Sequence, residues 1–379
     1  MIGFKDAKST LRVLGGYAME KKDILGHFRI EGEFTSVEAY GSGHINHTFL
    51  AKTKEQKKYI LQGINSTIFR DTDALMENIA GVTAFLKKEI IRQGGDPDRE
   101  TLTVIPTKDG KLYYTDPDHN KWRVYPFIEG ASAFDAVKSA EDFYQTGIAF
   151  GRFQSMLADY PAEKLHETIP DFHNTKKRYE DFEKAVAEDV CHRASSVAEE
   201  IAFVRARKEE MPLLSDMQKR GELPLRVTHN DTKLNNIMFD DMTHEAVCVI
   251  DLDTVMPGLS MHDFGDAIRF GANTAAEDET DLSKVSLSLE LFEAYVKGFL
   301  KGCDGRLTKT EIEMLPMGAK MMTLECGMRF LADYLQGDIY FKTARDTHNL
   351  DRSRTQFALV LDMEKKWDRM CGICRRWEK

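Results

Sequence analysis

The stretch Leu225-Arg-Val-Thr-His-Asn-Asp-Thr-Lys-Leu-Asn-Asn-Ile-Met-Phe-Asp240, followed after a turn by Glu245-Ala-Val-Cys-Val-Ile-Asp-Leu-Asp253, decides how this chain is read. It opens on a short β-type run, Leu225 to Thr228, and then spells His-x-Asp-x-x-x-x-Asn. A second run, Asn236 to Phe239, turns and returns as Ala246 to Ile250, so the hairpin delivers Asp251 beside Asn236. Phosphoryl transfer to a hydroxyl needs a carboxylate that orients the hydroxyl and accepts its proton, together with oxygen ligands for a magnesium ion on the phosphates. Asp231 fits the first role and Asn236 and Asp251 the second, with Asp253 as an assisting ligand.

Asp263-Phe-Gly265 spells a kinase metal tripeptide literally, but it lies beyond Pro257-Gly258 and no strand pairs it with Asn236. A single hairpin reaches from Asp231 to Asp251 and not to Asp263, so Asp263 is expected to accept backbone hydrogen bonds that brace the loop. The cluster His229, Asp231, Asp251, Asp253, His262 and Asp263 also admits a metal-dependent phosphohydrolase. Such sites favour several His ligands on rigid helices, whereas most of these residues fall on a hairpin.

Working outward, Phe34 to Phe127 is built of short β-type runs: Ser36 to Tyr40, Thr48 to Thr53, Lys58 to Asn65, Leu102 to Pro106, Lys111 to Tyr114 and Trp122 to Phe127. One amphipathic helix, Asp73 to Arg92, interrupts them, with Leu75, Ile79, Val82, Phe85, Leu86 and Ile90 at helical spacing. After Gly130 the pattern turns to long helices, among them Ala140 to Leu157, Thr175 to Val190 and Ser196 to Leu213. This predicts an α+β chain of two lobes, a strand-rich one over residues 1–127 and a mainly helical one over 128–379, joined by a short hinge. Between the first two strands, Tyr40-Gly-Ser-Gly-His-Ile-Asn46 offers Gly41, Gly43 and Asn46 as a backbone cradle for phosphates, an ordinary hairpin turn being the plainer alternative.

The 379 residues are 42% hydrophobic and carry a formal charge of −10, which suits a large core and argues against nucleic acid or an anionic membrane as partner. No apolar run approaches the length of a membrane span, and the first residues mix charges with short apolar pieces, unlike a secretory leader. The six cysteines are scattered, Cys371-x-x-Cys374 lacking a second pair, so reduced thiols and a cytoplasmic location are expected.

Several motifs lie outside any generic kinase set: Gly41-Ser-Gly-His-Ile-Asn46, Tyr59-Ile-Leu-Gln-Gly-Ile-Asn65, Trp122-Arg-Val-Tyr-Pro-Phe-Ile-Glu129, Thr228-His-Asn-Asp-Thr-Lys-Leu-Asn-Asn236, Ile250-Asp-Leu-Asp-Thr254 and Glu325-Cys-Gly-Met-Arg-Phe-Leu-Ala-Asp-Tyr334. With them the chain, from about residue 34 to about residue 360, resembles the phosphotransferases related to aminoglycoside and choline kinases, which share the bilobal protein-kinase-like fold, and within them the N-acetylhexosamine 1-kinases. The resemblance implies ATP as co-substrate with Mg2+, and a small-molecule sugar as acceptor. The anomeric hydroxyl of N-acetylglucosamine or N-acetylgalactosamine would receive the phosphoryl group, with Asp231 as base. It further implies that Tyr125, Phe127 and Ile128 form the hinge that meets adenine, and that His44, Phe270, Arg329 and Tyr340 line the sugar pocket. Core packing for Phe270 and a structural ion pair for Arg329 are the plainer readings.

One position departs from protein kinases. Where they place a lysine on the third strand for the α and β phosphates, this chain has Gln62. Either Gln62 is polar support only, or a basic residue elsewhere, Lys233 being a candidate, neutralises phosphate. A kinase of another small alcohol, such as choline, homoserine or an aminoglycoside, stays open, because Asn273-Thr-Ala-Ala-Glu-Asp-Glu279 could form an acidic patch for a cation. A silent nucleotide-binding module is the third reading, disfavoured because Asp231, Asn236 and Asp251 are all present.

Overall fold

Alternation of apolar and polar residues at every second position makes a sheet of the first part of the chain. A computed structural model describes residues 19–41, 45–134 and 136–378, so Gly43 and His44 of the expected cradle and pocket lie outside the described residues. The chain forms two compact units, the first ending at Phe127 and comprising the residues up to Thr72 together with Thr103–Phe127. Helix α1 (Lys21–Leu25) precedes strands β1 (Phe34–Ala39), β2 (His47–Thr53) and β3 (Lys58–Ile64). Helix α2 (Thr72–Arg92) then leaves for the second unit before β4 (Tyr114–Thr115) and β5 (Lys121–Pro126) complete the first. The five strands are antiparallel in the order β1-β2-β3-β5-β4.

One face of this sheet carries Ala51, Tyr59, Leu61 and Val124, buried against Ile24, Leu25 and Phe28 in the unit's own core. By the period of two, Thr48, Ile60 and Gln62 point to the opposite face, where the register sets Gln62 between Thr48 and Arg123. Leu102 to Pro106, expected as a strand, is extended chain joined to β5 by a single bond from the Ile105 amide to the Val124 carbonyl at 2.9 Å. Pro106 has no amide to continue a ladder. The expected run Lys111 to Tyr114 is shifted to the two residues of β4, because Thr107 closes a turn onto Lys111.

The second unit, Asp73–Leu102 with Ile128–Lys379, is mainly helical. Its elements after α2 are β6 (Ala131–Ser132), α3 (Ala140–Met156), α4 (Thr175–Glu188), α5 (Ala198–Arg205) and α6 (Leu213–Lys219). Four short strands follow, β7 (Arg226–Thr228), β8 (Ile237–Asp240), β9 (Ala246–Val249) and β10 (Met256–Gly258), and then α7 (Ser260–Gly271), α8 (Leu289–Cys303), α9 (Lys309–Gln336), α10 (His348–Lys365) and α11 (Trp367–Trp377). The stretch Ser196 to Leu213, expected as one helix, is broken into α5, a 3-10 turn at Lys208–Glu210 and the start of α6. Pro212 interrupts the amide ladder there.

Two features fix the frame beneath the site. Helix α9 is buried along most of its length and packs on α7, α10 and α4. Helices α3 and α8 meet backbone to backbone through Gly147 and Gly151 on one and Gly298 and Gly302 on the other. A Cβ on Gly298 would lie 2.1 Å from the Tyr144 carbonyl oxygen, and one on Gly151 2.3 Å from that of Phe299. Four-residue spacing puts each glycine pair on one helix face, which lets the axes approach this closely. Among the described residues all six cysteines are free, and no helix is long and apolar enough to cross a membrane.

Candidate active site

The loop from Thr228 to Asn236 is held from beneath by α7. Asp263, in the first turn of that helix and fully buried, accepts the His229 amide on Oδ2 at 3.0 Å and the Asn230 amide on Oδ1 at 2.8 Å. Gln154 of α3 donates to the same Oδ2 at 2.7 Å, and the Thr232 hydroxyl donates to the Asp263 carbonyl at 2.6 Å. One helical turn on, Asp266 accepts the Thr232 amide at 3.0 Å and pairs with Arg269 at 2.9 Å. Asp263 is thus the bracing residue its position in the sequence predicts. An acidic side chain in a first helical turn also faces the favourable end of the helix dipole.

His229, with no exposed surface, packs edge-on to Phe150 and Phe153 of α3. Its Nε2 lies 2.9 Å from the Ile250 carbonyl and its Nδ1 accepts the Asp231 amide at 3.3 Å. One neutral tautomer, protonated on Nε2, satisfies both contacts. The ring therefore ties the loop to the far end of the β8–β9 hairpin. Asn230 holds a left-handed backbone, φ 63°, while its amide donates to the carbonyls of Thr228 and Thr254. Asn and Asp tolerate this region better than other side chains.

These constraints aim Asp231. Its Oδ1 lies 2.6 Å from Lys233 Nζ, and its Oδ2 accepts Asn236 Nδ2 at 3.1 Å. The same Asn236 Nδ2 donates to the Asp231 carbonyl at 2.8 Å. With the nitrogen of its amide committed to Asp231, Asn236 turns its Oδ1 the other way. The ladder of β8 and β9 continues through the bond from the Ile250 amide to the Asn236 carbonyl at 2.9 Å, so Asp251 follows directly beside Asn236. Asp251 is left-handed, φ 59°, at the start of a 3-10 turn that contains the buried Asp253. An amide oxygen and two carboxylates are hard oxygen donors of the kind that could hold Mg2+.

Lys233 was the sequence candidate for neutralising phosphate. In the structure it is paired with Asp231. Burial works to lower its pKa, but the charges of Asp231 and Asp266 outweigh it and hold the ammonium above its usual value.

In the first unit, Gly41 has φ 79° with open space where a Cβ would be. Asn46 accepts the Asn65 amide on Oδ1 at 3.1 Å, closing the loop before β2 onto the end of β3. Gln62 is bound on both sides. Its Nε2 donates to Thr48 Oγ1 at 3.1 Å, and its Oε1 accepts Arg123 Nε and Nη2 at 3.0 and 2.9 Å. Arg123 is only 1% exposed, and its guanidinium lies 5.4 Å from the ring of Tyr125, itself buried. The Phe127 amide donates to Lys58, and its ring packs on Tyr40, at 5.9 Å between centroids. Ile128 opens the second segment of the second unit.

Of the residues expected to line a sugar pocket, the structure brings Arg329 and Tyr340 together. The Arg329 guanidinium lies 5.7, 5.8 and 5.6 Å from the rings of Phe172, Tyr340 and Phe341. One turn earlier on α9, the buried Glu325 accepts from Thr175 Oγ1 at 2.7 Å and meets His173 Nδ1 at 3.0 Å. Phe270, 39% exposed at the end of α7, lines a cavity of about 250 Å³ with Arg269, Asn273, Glu277 and Gln356. It is not the core residue of the plainer reading.

A kinase-type fold with this loop defines a phosphotransferase that acts on small molecules. The chain belongs to APH, the phosphotransferase enzyme family, whose profile matches residues 36–285. Among solved structures it is similar to a microcompartment-associated aminopropanol kinase, at 18% identity and a TM-score of 0.59 over 92% of this chain and 97% of that one. It is also similar to an aminoglycoside phosphotransferase from Alicyclobacillus acidocaldarius, at 13% identity and 0.58 over 96% and 98%. A third likeness is to choline kinase from Cryptosporidium parvum, at 13% and 0.54 over 90% and 93%. At these identities the likeness is one of fold.

Proposed function

We propose that the chain transfers the γ-phosphoryl group of ATP to the anomeric hydroxyl of an N-acetylhexosamine, N-acetylglucosamine or N-acetylgalactosamine, giving the sugar 1-phosphate and ADP. The observation that carries the chemistry is the Asp231 carboxylate, set between Lys233 and Asn236 on a loop whose backbone is bonded to Asp263. In the reaction the acceptor oxygen forms a bond to the γ-phosphorus, and the bond from that phosphorus to the β–γ bridging oxygen breaks. The acceptor proton passes to Asp231, and ADP leaves. A positioned base of this kind contributes roughly 10²- to 10⁴-fold in rate. Asn236, Asp251 and Asp253 would hold Mg2+, which supplies charge neutralisation at the β and γ phosphates. Gly41, Gly43 and Asn46 would cradle the phosphates, Tyr125, Phe127 and Ile128 meet adenine, and His44, Phe270, Arg329 and Tyr340 take the sugar.

A second reading, a kinase of a cationic alcohol, is favoured by the solved structures named for aminopropanol, choline and aminoglycosides. The surroundings of Arg329 support the sugar instead. A quaternary ammonium is recognised by aromatic faces. Here the faces of Phe172, Tyr340 and Phe341 already surround a guanidinium. The deciding experiment is a panel of N-acetylglucosamine, N-acetylgalactosamine, choline, 1-amino-2-propanol, homoserine and an aminoglycoside with ATP and Mg2+. Turnover is scored as ADP released, and acid lability of the product phosphate then marks an anomeric ester. Acid-labile product from the two N-acetylhexosamines is expected. Turnover of a cationic alcohol with none of the N-acetylhexosamines would overturn the sugar reading.

A further inference from the structure

In protein kinases the phosphates meet a lysine on the third strand, and here that strand offers a neutral amide. The structure shows what stands behind it. Gln62 pairs in register with Arg123 of β5, and both nitrogens of the guanidinium that face it donate to its Oε1. A guanidinium has donors only, so chemistry fixes which end of the Gln62 amide faces it. The oxygen must lie toward Arg123 and the NH2 group away from it. One hydrogen of that NH2 goes to Thr48 Oγ1, and the other is left for an acceptor on the face of the sheet away from the unit's core.

We propose that Gln62 and Arg123 together replace the strand lysine: the Gln62 NH2 group donates to an α- or β-phosphate oxygen, and Arg123 acts through it as a positioning residue. This rests on the kinase reading above and adds to it a side-chain donor at the third-strand position. A carbonyl oxygen that accepts two hydrogen bonds from a cation withdraws charge from its own nitrogen, so the N–H on the far side becomes a stronger donor. The cation's influence reaches the phosphate through one amide. Because Arg123 is buried, it stays out of water and its effect is weakly screened by salt.

The arrangement separates from a merely structural role by an isosteric change. In Gln62→Glu the new carboxylate can still accept both bonds from Arg123, so folding is retained, but the NH2 donor is gone and a negative charge faces the phosphates. Calorimetric titration of the unaltered chain, Gln62→Glu and Arg123→Lys with ATP, ADP and adenosine in Mg2+, without acceptor, reads the effect. The expected result for Gln62→Glu is a loss of at least tenfold in ATP and ADP affinity, with adenosine affinity and melting temperature held. Arg123→Lys, with one donor where there were two, should lose several-fold on ATP and nothing on adenosine. Unchanged ATP affinity in Gln62→Glu, or an equal loss on adenosine, overturns the proposal. Full phosphate dependence in a chain that phosphorylates no N-acetylhexosamine overturns the acceptor reading while sustaining this one. An unaltered chain that binds no adenine nucleotide overturns both.

Discussion

Asp231 touches Lys233 with one carboxylate oxygen and Asn236 with the other, and single substitutions separate the roles of the two partners. Asp231→Asn keeps the shape and removes the base. Its expected effect is a fall in kcat of about 10³-fold, roughly 4 kcal/mol of transition-state stabilisation, with the ATP dissociation constant little changed. Steady-state kinetics beside equilibrium nucleotide binding checks both halves, and wild-type turnover would remove Asp231 as base. Lys233→Met answers the question left by the sequence. If Lys233 serves Asp231, kcat drops about tenfold and ATP affinity holds. Were it the phosphate cation, ATP affinity would fall instead. At this scale the sequence exposed the residues whose neighbours are local: Asp231, Asn236 and Asp251 lie within one loop and one hairpin. Arg123 was not legible, because its partner Gln62 is 61 positions away and the pairing exists only once β3 and β5 are in register.

The elements explain why the loop is rigid. Asp263→Ala would leave the His229 and Asn230 amides and the Gln154 side chain without their acceptor. Each orphaned buried donor costs about 1–3 kcal/mol. A loss of at least 3 kcal/mol in urea unfolding is therefore expected, together with loss of turnover. An unchanged midpoint would contradict the clamp. The glycine seam between α3 and α8 carries Phe150, Phe153 and Gln154 to the underside of the loop, so its geometry is felt at the site. Gly298→Ala should cost about 1–3 kcal/mol by overpacking against the Tyr144 carbonyl. Gly372→Ala in α11, where a Cβ meets nothing within 4 Å, should instead be neutral or stabilising by up to about 1 kcal/mol. The hairpin was predictable from strand spacing and turn length. Leu102 to Pro106 and Ser196 to Leu213 were misjudged because single prolines, Pro106 and Pro212, overrode apolar patterns that otherwise suited a strand and a helix.

For the molecule as a whole, the buried side of α7 and α9 couples stability to acidity. Burial, with a smaller contribution from the charge of His173, pushes the His262 pKa down from 6.5 to about 3, and its Nδ1 accepts the Leu259 amide. The folded chain therefore binds this proton less tightly than the unfolded chain. Between about pH 6.5 and pH 3 the unfolded state holds the extra proton, so stability falls as pH falls. Tempered for the ring's partial exposure, the loss is on the order of 1 kcal/mol at pH 5. Melting temperatures from pH 7 to pH 4 should decline less steeply in His262→Gln, and equal slopes would rule His262 out as the group responsible. Fold and family were within reach of sequence because glycine loop, strands, helix and the His-x-Asp hairpin follow one another in the order a kinase requires. The approach of Arg329 to Phe172 was not, since the two are far apart in sequence and meet only in three dimensions.

Gln62 has a practical consequence for anyone who profiles nucleotide-binding proteins by covalent labelling. Nucleotide reagents that acylate the conserved amine of protein kinases need a nucleophilic nitrogen at that strand position. This chain presents there an amide with a guanidinium behind it, neither of which acylates under the same conditions. A survey that scores acylation at that strand position would miss this chain, and any label it took would have to sit elsewhere, the Lys233 amine beside Asp231 being an alternative.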